Sequence, residues 1–203
     1  LSRGPVLPGT WGADPNLKAY PYDPERAKKL LAEAGYPNGF ATTLWVPESG
    51  SGMQSPVAMS TVIQSNLKAV GVNIAMQTME WGAYLAKLRT KEQDLFALSW
   101  MAGNEDPDMV MYPLLHSSQW TPNGPNRALY KNEKYDELLH QARVTTDQAK
   151  RAELYRQAQR LLIDDAPWIF IDHEIQTAAH SKRVQGFKLH PSFDLRVETI
   201  SLK

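Results

Sequence analysis

Apolar positions fall into short blocks whose spacing alternates between a helical three-to-four and a strand-like two, with Pro, Gly, Asp or Asn at the switch points. The first block follows Asp23-Pro24-Glu25: a capping carboxylate, a proline at the first helical position and an acid in the first turn. Ala27, Leu30, Leu31 and Ala34 then share one helix face, and Gly35 and Pro37 stop it. Residues 41–46 (ATTLWV) are β-branched and aromatic, as a strand requires. A loop over 47–54 leads to Ser55-Pro56, which restarts a helix with Met59, Val62, Ile63 and Leu67 inward and Gly71 at its end. Val72, Ile74 and Met76 alternate with Asn73, Ala75 and Gln77 as a second strand. Strand, helix, strand at this spacing predicts a right-handed crossover joining parallel strands.

The pattern then repeats. Trp81, Tyr84, Leu85 and Leu88 fall at i, i+3, i+4 and i+7, and residues 95–100 (LFALSW) form an almost continuous apolar run, expected of a strand covered on both faces. Asp106-Pro107 opens a short helix through Leu115, and 116–127, rich in Ser, Pro, Asn and Gly, reads as a surface loop. Asn132 caps a helix with Tyr135, Leu138, Leu139 and Ala142 inward; Asp147 caps another with Leu154, Ala158, Leu161 and Leu162 inward. Residues 167–172, beginning PWIFI, read as a buried strand. From 178 the chain becomes loop and short strands, ending with Val197, Thr199 and Ser201 opposite Glu198, Ile200 and Leu202. Before all of these, Pro5, Pro8, Pro15 and Pro21 with Gly4, Gly9 and Gly12 block regular structure, so the first 20 residues are expected to be an extended lead-in.

Composition narrows the function classes. With 42% hydrophobic and 22% charged residues the chain is globular rather than disordered. Twenty-two basic side chains balance twenty-two acidic ones without a run of either sign, which argues against a nucleic-acid or polybasic membrane surface. Cysteine is absent, so disulfides, thiolate metal sites and a Cys nucleophile are excluded. No stretch reaches the roughly 18 apolar residues of a spanning helix. A chain that starts at Leu1, with no charged segment followed by an apolar one, reads as a piece of a longer, processed protein.

Candidate chemistry is sparse. The five histidines, at 116, 140, 173, 180 and 190, include no i, i+4 pair, so a zinc motif is not expected, and no cofactor is implied. Asp172-His173-Glu174 follows the PWIFI run, where a general base is conceivable but polar residues at a strand end are the plainer reading. Glu48-Ser49-Gly50-Ser51-Gly52 lacks the first glycine of a nucleophile elbow. It reads better as a loop offering N–H groups and hydroxyls to a polar ligand just before a helix N-terminus. Trp81, Tyr84, Tyr135 and Tyr155 sit at core-facing helix positions, whereas Trp45 and Trp100 end strands whose following loops are polar, where open α/β sheets bind ligands. The candidate ligand-binding set is therefore Trp45, Ser49, Ser51, Met53, Gln54, Trp100, Met101 and Asn104.

Several segments, in order, resemble one family. Tyr22-Asp23-Pro24-Glu25-Arg26-Ala27-Lys28-Lys29-Leu30-Leu31-Ala32-Glu33-Ala34-Gly35-Tyr36 is followed by Ile63-Gln64-Ser65-Asn66-Leu67-Lys68-Ala69-Val70-Gly71-Val72 and Glu80-Trp81-Gly82-Ala83-Tyr84-Leu85. Ser99-Trp100 with Asp106-Pro107-Asp108, then 130–139, 151–159 and Asp165-Ala166-Pro167, complete the set. Together they look like the extracellular solute-binding proteins of peptide-type ABC importers, solute-binding family 5, whose members include dipeptide, oligopeptide, nickel and glutathione binders. The resemblance implies an α/β fold: a type II periplasmic-binding-protein-like lobe with a mixed, mostly parallel sheet flanked by helices. It further implies a linker over 1–20 from an N-terminal lobe absent from this sequence, a ligand-binding lobe over 21–183, and a tail over 184–203 returning to that first lobe.

By the same resemblance the protein is not an enzyme but a periplasmic or membrane-anchored extracellular component that closes over a peptide or peptide-like solute and passes it to permease subunits. Nucleic acid is no partner, and the membrane is met only through the permease. Dipeptide-binding relatives hold the peptide amino group with an acid just after the Gly/Ser-Trp strand end, and the carboxylate with a basic residue in the loop after the preceding strand. Here the first stretch reads Met101-Ala102-Gly103-Asn104 with no acid before Glu105, and 48–54 contains neither Arg nor Lys, so both charged anchors are missing. Glutathione-like or longer peptides and other polar solutes fit these departures better than a free dipeptide. Two alternatives from other classes are a small α/β serine hydrolase using Ser49 or Ser51 with His173, and an autonomous interaction module.

Overall fold

The computed structural model describes residues 2–50, 52–190 and 196–203. The chain divides into two compact units, one built from 20–100 and 120–127, the other from 1–19, 101–119 and 128–203. In the first, or sheet unit, α1 (Pro24–Glu33), β1 (Phe40–Pro47), α2 (Pro56–Lys68), β2 (Val72–Met79), α3 (Trp81–Lys87) and β3 (Leu95–Phe96) follow one another. The strands form a parallel sheet in the order β2-β1-β3, with Phe40 opposite Val72, Pro47 opposite Met79, and Leu44 opposite Leu95. The expected parallel crossover is thus present.

Alternation along β1 divides the sheet unit's core. Leu44 and Val46 turn to the face where Val72 and Ile74 pack with Leu31, Val57 and Leu67. Trp45 turns to the other, where it packs with Tyr84 and Leu88. Both faces of β1 are covered, which is why its sequence is apolar on successive residues. At the entry to the sheet, Asp94 accepts hydrogen bonds from the Thr43 N–H and from the Thr42 and Thr43 hydroxyls. The Thr43 N–H first, then the two hydroxyls, hold the Asp94 carboxyl below its usual range.

The run 95–100, expected as one strand, pairs with β1 only over Leu95–Phe96. Ala97 N–H adds one more bond to Trp45 O at 3.1 Å, and the Tyr84 hydroxyl then donates to Ala97 O at 2.5 Å and lies 3.3 Å from Trp45 O. The next ladder donor to Ala97 O would be the N–H of residue 47, and Pro47 has none, so the pairing ends there and the phenol takes the free acceptor.

The other unit is mainly helical, with α4 (Asp108–Leu115), α5 (Glu133–Val144) and α6 (Gln148–Asp165). The three caps read from sequence are made. Asp106 accepts from Asp108 N–H, Asn132 from Lys134 and Tyr135 N–H, and Asp147 from Ala149 and Lys150 N–H. Met111, Leu114, Leu115, Tyr135, Leu138, Leu139, Ala142, Tyr155, Ala158 and Leu162 form its core. The lead-in contains neither helix nor strand over 2–23. It is tied to α6 by Arg156 to Ala13 O, Gln159 to Gly12 O and Arg160 to Asp14.

Two expectations are corrected here. Residues 167–172 form no strand, although Trp168 and Phe170 pack on the core and Ile169 between them is 73% exposed, the alternation of an extended chain. Ala166 adopts a left-handed conformation that ends α6, Pro167 has no N–H, and the one backbone bond to this run among the described residues is Ser2 N–H to Ile171 O at 3.1 Å. An extended segment without a neighbouring strand has no ladder. The alternation over 197–202 likewise yields only β5 (Ser201–Leu202), antiparallel to β4 (Val184–Gln185). Ile200 N–H bonds back to Val197 O, closing a 3-10 turn over Val197–Thr199 in place of strand.

Candidate functional site

Open parallel sheets place ligands beyond the carboxyl ends of their strands. In the sheet unit, β1 runs on through Glu48 N–H to Met79 O at 2.8 Å and then enters the 48–54 loop. That loop is folded tightly. Met53 N–H returns to Gly50 O at 3.3 Å, and its two described glycines permit contacts a side chain would forbid. A Cβ on Gly50 would lie 2.6 Å from the Trp81 ring, and one on Gly52, whose φ is +74°, 2.8 Å from Ser99 Oγ. The loop is therefore seated between the first turn of α3 and the segment leaving β3.

Within this arrangement Ser49 and Gln54 are exposed and Met53 is half-buried, while Ser51 lies outside the described residues. Trp100 is 45% exposed, a large amphipathic ring open to solvent where the β3 segment leaves the sheet unit. Trp45 is 5% exposed: its ring is packed with Tyr84 and Leu88, with Lys87 Nζ 5.4 Å from its centroid. It serves the core, because the residue lies on the β1 face that α3 covers. Glu80 caps α3 by accepting from Ala83 N–H; backbone N–H groups, that of Gly82 first and Ala83 next, keep its carboxyl below the usual range. Met101 and Asn104 belong to the helical unit. Met101 is exposed, and Asn104 Oδ1 accepts from Asp106 N–H at 2.9 Å in the turn that feeds α4.

Residues that pattern alone did not single out also come together. Arg127 and Gln93, 34 positions apart, meet in the sheet unit through Gln93 Nε2 to Arg127 O at 3.2 Å. In the helical unit His116 Nε2 lies 3.0 Å from His140 Nε2, and Ser118 N–H donates to His116 Nδ1 at 3.0 Å. With Nδ1 accepting, neutral His116 carries its proton on Nε2 and gives it to His140. No periodicity links positions 116 and 140, so only the packing of α4 beside α5 could reveal this pair. His173, the base conceived for a hydrolase, lies 2.9 Å through Nε2 from Ser2 Oγ, and burial first of all lowers its pKa.

The family model for bacterial extracellular solute-binding proteins, family 5, middle region, matches residues 2–122. Heme-binding protein A of Haemophilus influenzae is 39% identical over 193 residues, covering 94% of this chain and 35% of that protein. Glutathione-binding protein GsiB of Escherichia coli K12 is 34% identical over 203 residues, covering 98% of this chain and 39% of that protein. Among solved structures, a dipeptide-binding protein from Pseudoalteromonas sp. SM9913 in complex with Met-Leu superposes with a TM-score of 0.84 at 31% identity, covering all of this chain and 40% of that one. The chain thus spans between a third and two fifths of the length of each.

Proposed function

From the premise that this chain belongs to the bacterial extracellular solute-binding proteins of family 5, we propose that it is part of the substrate-binding component of a periplasmic ABC importer. In this reading it takes a small peptide or peptide-like solute and delivers it to the permease subunits. The observation that carries the reading is the carboxyl edge of the parallel sheet, where a glycine-seated polar loop and the exposed indole of Trp100 emerge from one unit. The relatives are named for heme and glutathione, and a structural relative holds Met-Leu, so the shared theme is a compact solute with polar groups. Loop 48–54 offers hydroxyl, amide and backbone donors from Ser49 and Gln54 but no cation, and no acid stands in 101–104. Those features favour a glutathione-like or longer peptide over a free dipeptide. A serine hydrolase finds no support in the family match, and His173 is engaged by Ser2.

The test is titration of the protein with reduced glutathione and with Met-Leu, followed by tryptophan fluorescence and calorimetry. Saturable binding of glutathione is expected. Trp100→Phe should weaken it and Trp100→Ala should weaken it further, truncation at such an aromatic anchor costing on the order of 2 kcal/mol. Unchanged affinity in Trp100→Phe together with unfolding in Trp100→Ala would make Trp100 a packing residue, and no binding of any peptide would remove the reading.

A further inference from the structure

The sheet unit holds a cation that no acid among the described residues balances. Arg127 is half-buried, and among the described residues no carboxylate pairs with its guanidinium. The neighbouring acids are engaged elsewhere: Glu92 with Lys87, and Asp94 with Thr42 and Thr43. Arg127 Nε is sealed from solvent and makes no hydrogen bond, and so is Gln93 Oε1, on the side chain whose amide nitrogen holds the Arg127 carbonyl. Arg89, which donates to Pro122 O at 3.0 Å, adds a second positive charge within electrostatic reach. The Tyr84 phenol, also within reach, supplies no compensating anion, because burial pushes its pKa up.

Desolvating a guanidinium without a counter-ion costs free energy that a bound anion would recover. Its planar fork suits a carboxylate better than a spherical ion. Position adds a second line of argument. Gln93, which holds the Arg127 carbonyl, stands just before β3, and the Tyr84 hydroxyl that rests on Trp45 O and Ala97 O lies within electrostatic reach of the guanidinium. Loop 48–54 carries no cation, and the unpaired guanidinium of the sheet unit stands instead on the 120–127 segment.

We propose that Arg127, held in place by Gln93, is an anion subsite of the sheet unit and takes a carboxylate of the solute through its two terminal nitrogens. This names the charge class of the solute and rests on the solute-binding reading above. The sealed Nε stays as a positioning contact, and Gln93 acts by fixing the Arg127 backbone rather than by touching the ligand.

The test is nitrogen-15 NMR of the arginine side chains in the intact protein, titrated with sodium acetate and, at matched ionic strength, sodium chloride. The Arg127 Nε–Hε resonance, identified by its loss in Arg127→Gln, is expected to move saturably with acetate and not with chloride. Gln93→Ala should raise the acetate dissociation constant about threefold, and Arg127→Lys, which keeps the charge but loses the fork, should raise it similarly. Reduced glutathione should bind about tenfold more weakly to Arg127→Gln than to the unaltered protein. Equal movement in chloride, or none in acetate, overturns the subsite. So does a resonance already at its acetate-saturated position before any anion is added, because a protein carboxylate would then hold Arg127. Acetate binding with no bound peptide upholds the subsite and removes the transport reading. Peptide binding that Arg127→Gln leaves intact does the reverse.

Discussion

His116 is 4% exposed and cannot gain a second proton without surrendering the bond from Ser118 N–H to its Nδ1. Burial first, with the charges of His140 and Arg143, lowers its pKa below 6.5 against the opposing pull of Asp136 and Asp108. Burial lowers His173 in the same direction. A folded-state pKa below the unfolded value means that the unfolded chain binds more protons as pH falls through about 6.5, so stability drops on acidification. The urea midpoint is therefore expected to be lower at pH 5.5 than at pH 7.5, and His116→Asn should flatten part of that slope. A midpoint independent of pH over this range would contradict the assignment of a neutral, buried His116. Trp100 and the 48–54 loop could be proposed from the sequence because each stands at the end of a strand-like run. Trp45 was misjudged because a two-residue period gives alternation without saying which face a helix will cover. Arg127 could not be proposed from the sequence because the argument for it rests on an ion pair unmade among the described residues, which a sequence does not display.

Capped helices were the most legible elements. Asp23, Asn132 and Asp147 each mark a helix start in the sequence and each accepts a backbone N–H in the structure. The apolar faces of α5 and α6 also fall as their spacing predicts, which gives a direct test. Leu139 is fully buried in the helical unit's core, so Leu139→Ala should lower stability by about 2–5 kcal/mol. Val144→Ala, at the exposed end of the same helix, should change it by about 0.5 kcal/mol or less. Equal effects in chemical denaturation would mean that the α5 face has been misassigned. Strands were read less well, and 95–100 and 167–172 fail for a common reason. Apolar content reports that a segment will be covered, whereas a strand also needs a partner for its N–H and C=O groups. Pro47 has no N–H to offer Ala97 O, where the Tyr84 hydroxyl binds instead, and no described strand lies beside Trp168 and Phe170.

At the scale of the whole molecule, the chain covers 35–40% of its relatives, so in the proposed reading it supplies only part of the surface around a solute. Contacts from one side leave a bound peptide hydrated and its charge interactions screened. Affinity for reduced glutathione is therefore expected to be at least about tenfold weaker for these 203 residues than for a chain of the relatives' full length that includes them. Parallel calorimetry measures this directly, and equal dissociation constants would place the entire site within this chain. The extended run at 167–172 has a different consequence, for handling rather than for binding. Ile169 and Ile175 are 73% and 83% exposed along an extended backbone that belongs to no described strand. Such an edge is a template for cross-β stacking, and Pro167, Asp172 and Glu174 are its gatekeepers, a missing N–H at one end and like charges at the other. Asp172→Asn together with Glu174→Gln, which removes those charges at constant pH, is therefore expected to raise self-association through this extended segment, read as earlier onset of aggregation in light scattering.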